Sequence, residues 1–138
     1  MDRQQMKELF NRVGRFGTLS TADSSGTVNS AIFGSGRLTD ETTLVMGLGD
    51  NRTLANLREN PKGVFLFFEP GETLLAWKGA RLYLELVNIE TSGALFDEIV
   101  DGITLAAGKT AARGIKAAVT FRITEVRPVI DLAGKSMS

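Results

Sequence analysis

Apolar residues recur along the chain at two spacings, and these spacings predict the elements of the fold. From Met6 to Val13 the apolar residues follow helical spacing, which predicts an amphipathic helix that ends at Gly14. Elsewhere apolar and polar residues alternate, most regularly from Ile115 to Thr124, which predicts half-buried strands. In order, the pattern predicts a helix, three strands, a helix, two strands, a helix and a final strand. The six strands are predicted at residues 16–23, 27–38, 43–48, 63–68, 74–89 and 115–124.

Two segments indicate how these strands are arranged. Residues 63–68 are apolar on both faces, which fits a barrel core or a dimer seam better than a solvated sheet. Gly79, near the middle of the fifth strand, suggests a bulge or sharp bend of the kind that barrels use. We therefore expect one mainly-β domain over residues 1–130, an antiparallel barrel with flanking helices, and a C-terminal tail at 131–138.

The third predicted helix carries one apolar stripe. Thr91-Ser92 is predicted to cap its start and Gly108 to end it, before a polar, basic connection at 109–114. We expect the stripe to pack on the barrel rather than to bind a cofactor. It consists of Leu95, Phe96, Ile99 and Ile103.

Composition excludes several classes of chemistry. The chain contains no cysteine and no histidine, which removes disulfides, thiolate nucleophiles, Cys/His zinc sites, histidine-ligated haem and histidine-based catalytic triads. The sequence contains no loop dense in carboxylates of the kind that binds calcium, so it does not predict a metal site. Sixteen basic residues balance sixteen acidic ones, so nothing predicts binding to nucleic acid or to a membrane. With no signal peptide at the N-terminus, we expect a cytoplasmic protein whose redox chemistry, if any, depends on an organic cofactor.

The stretch from Thr43 to Pro61 contains a candidate anion site. A strand there leads through two glycines into a short amphipathic helix, for which Asp50 and Asn51 are candidate N-cap residues. Arg52 and Thr53 then fall in the first helical turn, where free N–H groups and the helix dipole favour an anion. The same pattern also fits an ordinary cap followed by an arginine that faces solvent.

From Met6 to Val126 the chain resembles the FMN-binding split-barrel family, which includes the pyridoxamine 5′-phosphate oxidases. The segments that carry the resemblance are FGTLSTADSSGTVNSAIF, LVMGLGDNRTLANLRENPKGVFLFF and the glycine of LAWKGARLYLEL. The resemblance implies a six-stranded antiparallel split β-barrel flanked by helices. It also implies a homodimer that binds FMN between its subunits.

The resemblance further implies which residues bind the flavin. Asn51, Arg52 and Thr53 would hold the phosphate, with Asn29 and Ser30 opposite, although these last two also fit a polar outward face of a hairpin. The backbone of Ala31 and Ile32 and of four residues on the third strand would line the isoalloxazine ring. Those four residues are Met46, Gly47, Leu48 and Gly49.

Two departures from the family pattern bear on the FMN affinity and on the activity. Thr53 stands where many relatives carry a second basic residue, and the absence of histidine argues against a true pyridoxamine phosphate oxidase. We expect a flavin-dependent oxidoreductase that passes hydride or electrons through FMN to a small-molecule acceptor. A non-catalytic FMN carrier, an F420-binding protein and a cofactor-free relative stay open as alternatives. No catalytic residue is identified; Lys78, Arg113 and Lys116 could approach the cofactor or simply face solvent.

Overall fold

Seven strands and four α-helices make up the described part of the chain, residues 1–12, 16–130 and 132 of a computed structural model. The strands are β1 (Phe16–Ala22), β2 (Val28–Ile32), β3 (Arg37–Asp40), β4 (Thr43–Leu48), β5 (Lys62–Glu69), β6 (Lys78–Glu90) and β7 (Ala117–Pro128). The helices are α1 (Arg3–Asn11), α2 (Arg52–Glu59), α3 (Ala94–Ala107) and α4 (Lys109–Arg113), and Leu74–Ala76 forms a 3₁₀ turn.

The seven strands form one antiparallel sheet in the order β2-β1-β5-β6-β7-β4-β3. β2 and β3 are its two edges, and no ladder joins them in the described residues, so the sheet does not close. This arrangement confirms the predicted mainly-β antiparallel fold with flanking helices.

The main core lies on one face of the sheet and is closed at one end by α1, while a smaller apolar cluster lies beneath α3 on the other face. Gln5 N–H donates to the Asp2 carboxylate at 2.8 Å and Asp2 N–H donates to the Gln5 side chain at 2.9 Å, so a capping box starts this helix. The ring of Phe10 then lies 5.3 Å from that of Phe65 and 4.9 Å from that of Phe67. All three rings are fully buried. The N-terminal helix is therefore an integral part of the barrel core.

The predicted second strand divides into two, which raises the strand number from six to seven. β2 pairs with β1 at one edge of the sheet, whereas β3 pairs with β4 at the other. Gly34 and Gly36 on either side of Ser35 weaken the strand between them. A Cβ at Gly36 would also lie 3.2 Å from the Phe10 ring, so glycine lets the chain cross close to α1.

Smaller differences concern element ends. Leu74–Ala76 is a 3₁₀ turn rather than the start of the fifth predicted strand, and α4 occupies the predicted basic connection. α3 begins after Gly93 instead of at a Thr91-Ser92 cap, and it ends at Gly108 as predicted. The end of the first helix was predicted at Gly14, which lies outside the described residues.

Glycine is required at position 79 because β5 packs closely against the backbone there, and not because the strand has a bulge at this point. Its φ is +152°, and a Cβ there would collide with the Phe67 carbonyl oxygen of β5. The register shifts of β6 lie further along, at Tyr83/Leu84 and Leu86/Asn88. The bulges that bend this strand are thus several residues beyond the predicted position.

Among the described residues, none of the helices combines the length and hydrophobicity needed to cross a bilayer. The same residues contain no group of three potential Asp or Glu metal ligands.

Candidate functional site

The start of α2 is built as the sequence predicts. Asn51 has an extended backbone, and its side-chain oxygen accepts the Leu54 N–H at 2.9 Å, which is the geometry of an N-cap. Its own N–H donates to the Gly49 carbonyl at 3.0 Å. Arg52 and Thr53 are consequently the first two helical residues, with their N–H groups at the positive end of the helix dipole.

The side chains of Arg52 and Thr53 have no partner among the residues that the structure describes. Thr53 is 1% exposed, yet its hydroxyl makes no hydrogen bond in the described part of the protein. Arg52 is exposed and pairs with no carboxylate among the same residues. Four other arginines do form salt bridges, namely Arg12–Glu69, Arg37–Glu98, Arg122–Glu85 and Arg127–Glu125. A free guanidinium and a free hydroxyl therefore flank the helix N-terminus.

α2 runs along the β1–β2 hairpin, so Asn29 lies on the side of the hairpin that faces this helix. Asn56 of α2 donates to the Thr21 hydroxyl at 3.1 Å, and Thr21 lies opposite Asn29 in the ladder. Near the hairpin turn, the Ser24 hydroxyl donates to Glu59 at 2.7 Å. Because side chains alternate along a strand, Asn29 and Ala31 lie on the α2 side of the hairpin. Ser30 and Ile32 point the other way.

Ser30 accordingly lies on the opposite face from the start of α2. Its hydroxyl lies 3.1 Å from that of Ser20 on the neighbouring strand. The structure thus brings Asn29 to the α2 side and places Ser30 on the other side of the same strand.

The backbone of β2 faces an open edge at every second residue. The Thr27 carbonyl accepts from Asp23 N–H and the Phe33 N–H donates to the Gly17 carbonyl, so odd-numbered residues bond to β1. The N–H and C=O groups of Ser30 and Ile32 consequently face away from the sheet. Those of Ala31 point towards β1. Of the two β2 residues predicted to line a flavin ring with their backbone, Ala31 and Ile32, only Ile32 has its backbone groups at the open edge.

The predicted site residues at the end of β4 and just after it are mostly buried. Met46 and Leu48 are fully buried in the core, and the Leu48 carbonyl accepts the Lys116 N–H at 2.8 Å. Gly47 is covered by α3, since a Cβ there would lie 2.9 Å from Ile99. Gly49 is half-buried and leads into the α2 cap. These residues hold the site in place, and Gly49 is the most accessible of the four.

Ser35 is a contributor that the sequence reasoning missed. Its hydroxyl accepts the Gly47 N–H at 3.1 Å and donates to the Gly47 carbonyl at 3.0 Å. One side chain therefore replaces a missing neighbouring strand at this point of β4. The available signal was a hydroxyl residue between two glycines in the segment that joins β2 to β3.

Three cavities of about 920, 600 and 510 Å³ are lined by other parts of the chain. The largest lies between α1, Trp77 and Pro128–Ile130. The second is formed by β1, β5 and β6, and the third lies between α3 and the 34–37 segment.

Known structures identify the fold. No protein-family model matches the chain, and neither does any curated protein. An FMN-binding protein from Syntrophomonas wolfei superposes with a TM-score of 0.79 at 28% identity, over 92% of this chain and 85% of that one. A candidate pyridoxamine 5′-phosphate oxidase from Lactobacillus delbrueckii gives 0.62 at 16% identity, over 90% and 91%. The chain has the split-barrel fold of the pyridoxamine 5′-phosphate oxidase-like proteins.

Other split barrels differ in what they bind. The haem storage protein HutZ from Vibrio cholerae matches with a TM-score of 0.63 at 16% identity, over 93% of this chain and 91% of that one. An F420 reductase also has this fold. The present split barrel has no histidine or cysteine with which to ligate haem iron. Its donor set at α2, a guanidinium, a hydroxyl and helix N–H groups, fits a phosphate.

This split barrel also leaves one face of its sheet uncovered at strands β2, β1 and β5, whereas α3 covers that face at β4 and β7. We call the uncovered part the outer face; its apolar residues include Phe16, Val28, Ile32, Leu66, Phe68 and Trp77. Phe16 is 57% exposed, Val28 78% and Ile32 77%. Trp77 stacks on Phe68 with ring centroids 5.1 Å apart. An apolar surface of this kind is typical of an interface with another protein chain.

Proposed function

We propose that the protein binds FMN and uses it as an oxidoreductase that passes hydride or electrons to a small-molecule acceptor. The observation that carries the proposal is the start of α2, where Arg52 and Thr53 have no partner among the described residues. A phosphate there would accept from the guanidinium, the hydroxyl and the first-turn N–H groups. The 28%-identical neighbour that is described as an FMN-binding protein supports the choice of flavin.

The phosphate contacts are strong enough to matter. A hydrogen bond to a charged group contributes roughly 1.5–3 kcal/mol, and the helix dipole adds roughly 0.3–1 kcal/mol. At about 1.4 kcal/mol per tenfold, the Arg52 contact alone is expected to change affinity by about 10- to 100-fold.

The ring would lie along the open edge of β2. Ser30 and Ile32 present backbone donors and acceptors there, and a flavin ring edge needs both kinds of group. Bound FMN would supply the hydride chemistry, while the chain would orient it and set its electrostatic surroundings.

A second copy of the chain would complete the site. The outer face includes Ile32 on the edge strand β2. A homodimer formed through this face would therefore bring the partner subunit next to the β2 edge. Burial of these apolar residues would supply the driving force for association. The flavin would then lie at the subunit interface, where both chains cover it.

The binding test compares FMN with riboflavin, which lacks the phosphate. We expect Arg52→Ala to weaken FMN by about 10- to 100-fold in a fluorescence titration and to leave riboflavin unchanged. Arg58→Ala is the matched control, because Arg58 is an exposed arginine in the last turn of the same helix. Equal affinity of the wild-type protein for FMN and riboflavin would overturn the proposal.

Two further measurements separate the alternatives. Mass spectrometry of the co-purifying cofactor distinguishes FMN from F420 and from no cofactor. Anaerobic bleaching of bound flavin by NAD(P)H indicates an enzyme, whereas bleaching only by a protein reductant indicates an electron carrier.

A further inference from the structure

The cavity of about 510 Å³ beneath α3 has no part in the proposed flavin site. It lies between α3 and residues 34–37, beside the end of α1. Its apolar lining includes Val45, Ile99 and Ile103, and the first two side chains are only 4% and 8% exposed. Small-molecule sites typically have volumes of about 300–1,000 Å³ and a mainly apolar lining. The cavity therefore has the size and the surface of such a site.

Gly102, in the middle of α3, keeps this cavity open. Three residues earlier α3 packs tightly on β4, since a Cβ on Gly47 would lie 2.9 Å from the Ile99 side chain. A Cβ on Gly102, by contrast, would meet no atom within 4 Å outside the adjoining backbone of its own helix. Glycine inside a helix is also less favourable than alanine. Neither close packing nor helix stability explains this glycine, whereas a volume that stays open does.

The charged side chains that line the cavity are neutralised. Arg37, at the start of β3, pairs with Glu98 of α3 at 2.8 Å. Arg12 donates to both carboxylate oxygens of Glu69, at 2.8 and 2.7 Å. These two ion pairs include every charged residue of the lining among the described residues. The cavity thus offers an ion no unpaired charge.

The neutral polar side chains of the lining are occupied as well. Asn11 accepts the Leu38 N–H and donates to the Leu38 carbonyl, both at 2.9 Å. Ser35 forms the corresponding pair of bonds with the backbone of Gly47. A polar or charged ligand would lose its water and find no free side-chain partner here, which is costly. The lining therefore complements a neutral, apolar ligand.

We propose that the cavity between α3 and residues 34–37 is a binding site for a neutral, apolar small molecule. Apolar surface provides the binding energy, and the open volume beside Gly102 provides the space. The proposal goes beyond the flavin site and holds whether or not the protein binds FMN.

Toluene is the probe that tests this site, and benzoate is its charged counterpart. In a titration followed by methyl NMR, we expect toluene to shift the resonances of Ile99 and Ile103. We also expect it to bind about tenfold or more tightly than benzoate, because the carboxylate would be desolvated without a partner. Toluene that leaves both isoleucines unmoved, or benzoate that binds as tightly as toluene, would overturn the proposal.

Filling the cavity from α3 gives the second test. Gly102→Leu would occupy the open volume, so the affinity for toluene should fall about tenfold or more, while the melting temperature should not fall because leucine favours a helix. Ala106→Phe, one turn further along the same wall of α3, should have the same effect on toluene. Ala107→Leu is the matched control, because Ala107 is an exposed residue of α3 that does not line the cavity. Unchanged affinity in both filled variants, or an equal loss in the control, would show that toluene binds elsewhere and that the proposal is wrong.

Discussion

The two faces of β5 have similar composition and different surroundings. Phe65 and Phe67 point inwards and are completely buried against Phe10 of α1. Leu66 and Phe68 point outwards, where nothing in the described chain covers them fully. The difference teaches that the chain covers one apolar face of this strand by itself and leaves the other partly exposed. Under the proposed homodimer, the inner side of the segment would determine stability and the outer side would determine assembly.

The largest expected effect is the loss of an inner-face ring. Phe67→Ala would leave a cavity beside Phe10, and we expect the free energy of unfolding to fall by about 3–5 kcal/mol. Phe68→Ala is the matched control, since it removes the same ring from the outer face one residue later. Urea unfolding of both variants at low protein concentration checks the comparison. Equal losses would show that the two faces contribute alike to the isolated chain.

The sequence predicted much of this arrangement for a physical reason. Residues 63–68 are apolar on both faces, and that pattern directly indicates a strand that needs two covering layers. The Asn51 cap of α2 and the Gly108 end of α3 were predictable because caps have local chemistry. Such features depend on residues close together in the sequence, so a single sequence is enough to predict them.

The errors occur where distant contacts decide. The break between β2 and β3 depends on the chain crossing close to Phe10 of α1. Nothing in the sequence of residues 27–38 indicates that β2 will pair at one edge of the sheet and β3 at the other. α4 has only five residues and no periodic pattern of apolar residues, so this helix could not be predicted from the sequence. Among the site residues, types could be predicted but directions could not. Neighbouring residues of a strand always point to opposite faces, but the register of β2 against β1 decides that Asn29, and not Ser30, faces α2.

The second prediction tests whether the outer face forms the interface of the proposed homodimer. Phe16→Asp places a charge on this face, where its ring lies 6.0 Å from that of Phe68. We expect the wild-type protein to sediment as a dimer and the variant to dissociate at least tenfold more readily while staying folded. Leu105→Asp is the control, because Leu105 is 91% exposed on α3 and lies outside the outer face. A monomeric wild-type protein, or dissociation caused by both variants, would contradict the proposed homodimer.

A third prediction concerns the support of β4 behind the site. Ser35→Ala leaves the Gly47 N–H and carbonyl without their side-chain partner, and we expect a loss of about 1–3 kcal/mol in the free energy of unfolding. Ser30→Ala removes a hydroxyl whose contact is an exposed one to Ser20, so its effect should stay within about 0.5 kcal/mol. Thermal melting of the two variants gives the comparison. Similar melting temperatures would mean that water replaces the Ser35 hydroxyl.

The smallest effect is expected at the hairpin turn that follows β1. The Ser25 hydroxyl donates to the Asp23 carboxylate at 2.7 Å and the Thr27 N–H donates at 2.9 Å, and these bonds lower the pKa of Asp23 from its ordinary value of 3.8. A carboxylate whose pKa is lower in the folded state than in the unfolded state stabilises the fold at pH values above its unfolded-state pKa. That stabilisation is lost as the pH falls through the folded-state pKa.

Asp23→Asn should therefore lower the melting temperature slightly at neutral pH. The difference from wild type should stay constant down to about pH 5 and shrink on further acidification, because the wild-type carboxylate then becomes protonated. Asp40→Asn should behave in the same way, since hydrogen bonds from Thr42 and Thr43 lower the pKa of Asp40. Melting curves between pH 2 and 7 measure both variants. A difference that persists unchanged at the lowest pH would mean that the negative charge of the carboxylate does not account for it.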